Sequence, residues 1–90
     1  MKTYVAFLSM LDEEKSAQFR GEHLAYLEQM NKDGHIFAYG RFQDGSGGMV
    51  IYQAETLDEA KGYATADPFI KKGARKLDIK EWAMTPGAVQ

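Results

Sequence analysis

The order of hydrophobic spacings along this 90-residue chain narrows its fold more than any other feature. "TYVAFLSM" (residues 3–10) is a nearly continuous apolar run with β-branched and aromatic side chains, short enough to be a central strand covered on both faces. "HIFAYGRF" (35–42) and "GMVIYQA" (48–54) have strand composition, and the intervening "QDGSGG" is turn chemistry that joins them as a hairpin. "KLDIKEWAM" (76–84) alternates Leu77 and Ile79 with Asp78 and Lys80 before Trp82, which suits an edge strand. Helical spacing fills residues 16–32 and is closed by Asp33-Gly34, where the glycine takes a left-handed cap. "TLDE" opens a second helix as a capping box, Thr56 capping and Glu59 reaching back. A short turn, "PFIKKG", precedes the last strand.

The order βαββαβ predicts an α+β, ferredoxin-like fold in one domain, residues 1–90. Right-handed crossovers place both helices on one face of a four-stranded antiparallel sheet. The first strand is apolar on both sides, so the face without helices would expose a patch that calls for a partner. A homodimer through that sheet face is the expected solution.

Charge and composition exclude several functions. The formal net charge is −2 and the pI about 5.6, the opposite of the basic field that nucleic acid demands. With no cysteine there is no disulfide, thiol nucleophile or cysteine-based metal site, and the expected compartment is the cytoplasm. The amino-terminal "MKTYVAFLSML" runs into "DEEK" without a cleavage site and reads as a strand, not a signal peptide. No apolar run is long enough to span a bilayer, so no membrane partner is expected. "QDGSGG" lacks the Lys-Ser/Thr of a phosphate-binding loop, and His35 is spaced too far from His23 for a local metal pair. Neither a cofactor nor a metal is expected.

Two titratable residues stand out. With Phe19 at zero and 100° per residue, Met30 falls at about 20°, His23 at about 40° and Leu27 at about 80°, so His23 is centred on the apolar arc of the first helix. Asp67 precedes Pro68. If the second helix persists that far, Asp67 lies on the same inward arc as Ala60, Tyr63 and Ala64. A buried carboxylate needs a donor or a cation, and an imidazole supplies either. Each residue also has a purely structural explanation: a histidine on an apolar face is commonly a satisfied core residue, and Asp-Pro is a common helix start with aspartate as the cap. Arg20, one turn before His23, is either a surface charge or an anion hook at a pocket rim.

"R-G-E-H-L-A-Y-L", "G-H-I-F-A-Y-G", "G-G-M-V-I" and "E-T-L-D-E-A…A-D-P-F…G", followed by a strand ending in Trp82, resemble the YciI-like family across nearly the whole chain. The most specific elements are Arg20-x-x-His23-Leu24 and Asp67-Pro68-Phe69. The resemblance implies the dimeric α+β barrel shared with muconolactone isomerase and a chlorohydroxyquinol dehydrochlorinase. It also implies a pocket centred on His23 and Asp67, the expected catalytic pair; Arg20, Arg41 and Gly48 are the expected substrate-binding positions. One departure is Gly40-Arg41, where many members have Gly-Pro, which adds a positive charge near the strand end. The function expected from this set is cofactor-independent proton transfer on a small organic molecule: elimination, dehydrochlorination or isomerisation. The competing class is a non-catalytic small-molecule-binding or sensing module of the same fold.

Overall fold

A computed structural model describes residues 1–87 of the chain. Its elements are β1 (Lys2–Met10), α1 (Glu13–Lys32), β2 (Ile36–Arg41), β3 (Gly47–Ala54), α2 (Leu57–Thr65), α3 (Pro68–Lys71) and β4 (Arg75–Trp82). The strands form one antiparallel sheet in the order β2-β3-β1-β4, the ferredoxin-like arrangement expected from the sequence.

Strand alternation divides the apolar residues between two faces. Ala6, Leu8, Val50 and Tyr52 meet Leu27 and Met30 of α1, Ala64 of α2 and Phe69 of α3 in the main core. Tyr4, Ala54 and Ala60 form a smaller cluster beside it. The residues between them in β1 and β3, Val5, Phe7, Met49 and Ile51, point to the side without helices. There Val5, Phe7 and Met49 join Lys80 and Trp82 in lining a shallow groove.

Local chemistry sets the helix ends. α1 begins at Glu13 rather than residue 16 because the Asp12 carboxylate accepts from Lys15 N at 3.0 Å, with Glu13 and Glu14 favourably placed in the first turn. It closes through Gly34 at φ 83°, with His35 N donating to Met30 O at 3.0 Å. Thr56 caps α2 by accepting from Glu59 N at 3.1 Å. The reach-back of Glu59 differs from expectation, since its carboxylate accepts from Glu55 N rather than from Thr56.

The second helix does not persist to Asp67. It stops at Thr65, and Asp67 is extended at φ −62° and ψ 129° because a residue before proline is pushed out of the α region. In β2, a bulge between Ile36 and Ala38 changes which side chains face inward. Ile36 is paired with Tyr52 on the helix side. The extra residue then turns Ala38 outward, opposite Ile51, and brings Tyr39 and Arg41 inward, opposite Val50 and Gly48. A regular strand would have pointed Arg41 away from the helices.

Candidate active site

His23 comes from the middle of α1 and Asp67 from the junction before α3, and the two meet in the core. The imidazole Nδ1 lies 2.7 Å from Oδ1 and 2.9 Å from Oδ2 of Asp67, whose residue is 1% exposed. Oδ1 also accepts from Phe69 N at 2.9 Å. Asp67 therefore caps α3 and holds the histidine, as two carboxylate oxygens allow. The Phe69 ring fixes the imidazole plane, with centroids 3.8 Å apart and planes 10° from parallel. Because an ionised carboxylate only accepts, Nδ1 carries the hydrogen and Nε2 keeps its lone pair in the neutral ring. Nε2 has no hydrogen-bond partner among the described residues.

His23 lines a cavity of about 300 Å³ between α1 and the β2–β3 side of the sheet. Leu8, Leu24, Leu27 and Val50 supply apolar wall, and Arg20, Arg41 and Gly48 all line the same space. Gly48 contributes backbone rather than chemistry. A Cβ there would lie 2.9 Å from Gly40 O, so the glycine lets β2 and β3 approach closely at the cavity floor. His35 is elsewhere, stacked on Tyr63 with ring centroids 4.5 Å apart.

The sequence reading missed Arg75, the first residue of β4. It is 8% exposed and lines the cavity. Its Nε donates to Ser16 Oγ at 3.0 Å and Nη1 to Leu8 O at 3.3 Å, while Cζ sits 4.4 Å from the Phe69 ring centroid. Burial lowers its proton affinity, as does the charge of Arg20, and Asp67 opposes them. Two signals were legible: Arg75 continues the inward alternation of Leu77 and Ile79, and Ser16 lies at about 60° on the α1 wheel, within its apolar arc. Near Asp67, the Tyr26 phenol is pushed up to about 12 by burial, with the aspartate charge adding to the shift. It stays protonated and donates to Tyr63 O at 2.7 Å.

These features define a ferredoxin-like α+β protein with an imidazole–carboxylate pair at the wall of a small cavity. The profile of the YCII-related domain matches residues 3–83. The uncharacterized protein YjpA of Bacillus subtilis is 31% identical over 84 residues, which cover 93% of this chain and 98% of YjpA. The chain belongs to the YCII-related family. Among solved structures, 5-chloro-2-hydroxyhydroquinone dehydrochlorinase from Burkholderia phenoliruptrix, in complex with 2,5-dihydroxybenzoquinone, matches with a TM-score of 0.78. That match covers 92% of this chain and 95% of the dehydrochlorinase at 22% identity, a likeness of fold.

Proposed function

We propose that this protein is a small cofactor-independent enzyme that moves a proton on a small organic substrate, with His23 as acid–base and Asp67 as its orienting partner. The observation that carries this is the Nε2 of His23, without a partner among the described residues, on a cavity-lining side chain whose Nδ1 is committed to a buried carboxylate. In the proton-transfer step Nε2 accepts hydrogen from a substrate C–H or O–H, and Asp67 stabilises the imidazolium that results. The same nitrogen returns the proton elsewhere in an isomerisation, or the leaving group departs with its bonding electrons in an elimination. The fold neighbour's dehydrochlorinase activity supports the second of these. Arg20 and Arg41 bind substrate from the cavity rim, and Gly48 shapes its floor. Two copies act together as a homodimer through the sheet face that carries Val5, Phe7, Met49 and Trp82, in the cytoplasm.

Proton transfer can be tested without knowing the natural substrate. A panel of halogenated phenols, hydroxyquinols and lactone acids is incubated in D2O and followed by NMR for deuterium uptake or loss of hydrogen halide. The wild type should accelerate at least one member, and His23→Gln should be about 100- to 10,000-fold slower on it. Rates for wild type and His23→Gln that coincide across the panel overturn the assignment.

A further inference from the structure

The cavity is lined by three arginines and a histidine, and no aspartate or glutamate is among its lining residues. The carboxylate behind the wall, Asp67, has both oxygens within 2.9 Å of the His23 Nδ1, and Oδ1 also takes the Phe69 amide. Arg20, Arg41 and Arg75 form no ion pair among the described residues. For Arg20 and Arg41, both exposed, that is ordinary. For Arg75 it is not: the residue is only 8% exposed, and a largely buried cation is costly unless an anion meets it. Its bonds to Ser16 and Leu8 hold Nε and Nη1 and leave Nη2 without a partner among the described residues. The fixed side of the fork thus positions the remaining donor.

We propose that the missing counterion is the ligand, and that this cavity takes small organic carboxylates, with Arg75 receiving the carboxylate and Arg20 and Arg41 flanking it from the rim. This rests on the proton-transfer assignment only for where the ligand's reacting end lies, which is against His23. A planar guanidinium presents parallel donors to a carboxylate, and here burial and the charge of Arg20 outweigh the opposing charge of Asp67. An entering carboxylate offsets both the desolvation of Arg75 and its repulsion from Arg20. Ionic attraction also orients an acid in the cavity, since His23 and Arg75 both line it and both pack on the Phe69 ring.

Calorimetric titration with benzoate and with benzamide, its neutral analogue of matching shape, tests the charge requirement in 0.15 M sodium chloride. Benzoate should bind at least tenfold tighter than benzamide. Arg75→Gln should abolish that preference, whereas Arg20→Gln and Arg41→Gln should each reduce it severalfold. If Arg75→Gln does not fold, Arg75→Lys replaces it: charge without the fork should still lower benzoate affinity. Equal binding of benzoate and benzamide by the wild type, or no binding of either, overturns the proposal, as does an unchanged preference in a folded Arg75 variant. Binding is measured without turnover, so the two ideas separate. A protein that prefers benzoate and turns over none of the panel supports the carboxylate site and sinks the enzyme. One that processes a neutral substrate and ignores benzoate does the reverse.

Discussion

Asp67 serves two structural purposes with one carboxylate, and their energies are separable. Thr56→Ala removes a cap alone and should lower stability by about 1 kcal/mol in urea denaturation. Asp67→Ala removes a cap and strands a buried imidazole N–H, so its loss should be about 2–4 kcal/mol. Losses of equal size would mean that the histidine contact contributes nothing to the fold. Asp67→Asn keeps the shape and a capping oxygen while deleting the charge, so it should fall between the two. The imidazole nitrogen signals of His23 should then no longer report a single fixed tautomer.

Elements place these residues, and the sequence exposed their placement unevenly. The strand alternation of residues 3–10 and the apolar arc of α1 were legible because burial imposes a period on long elements. His23 could therefore be assigned inward from spacing alone. Asp67 reached the same site by a route the helical wheel did not contain, since proline geometry overrode helix continuation at one residue. The inward turn of Arg41 was hidden for a similar reason. A bulge is one extra residue, and nothing in "HIFAYGRF" marks which pair opposes a single partner. Gly48, expected as a binding position, lines the cavity and also answers to its neighbour strand. Gly48→Ala should cost about 1–3 kcal/mol as the new Cβ forces Gly40 away. Hydrogen exchange should quicken at Phe42 N, whose bond to Gly47 O is 2.8 Å, while the amides in the middle of α1 keep their protection.

For the whole molecule, the proposed dimer rests on the uncovered sheet face. Val5 and Ile51 are already shielded within one chain, whereas Phe37 and Trp82 are 50% and 43% exposed. Sedimentation equilibrium should return twice the 10.1 kDa of one chain at micromolar concentration, and Phe7→Glu should shift it towards the monomer. A stable wild-type monomer would remove the dimer from the proposed function. The sheet order has a second consequence. β1 lies between β3 and β4, which do not pair with each other, and the turn at residues 43–46 divides the chain so that His23 falls before it and Asp67 after it. A chain cut at that turn would yield one piece holding the imidazole and another holding the carboxylate, the second with two strands that need the first piece's β1 between them. Neither fragment could assemble the cavity alone, so any chemistry recovered on mixing them would count reunited halves.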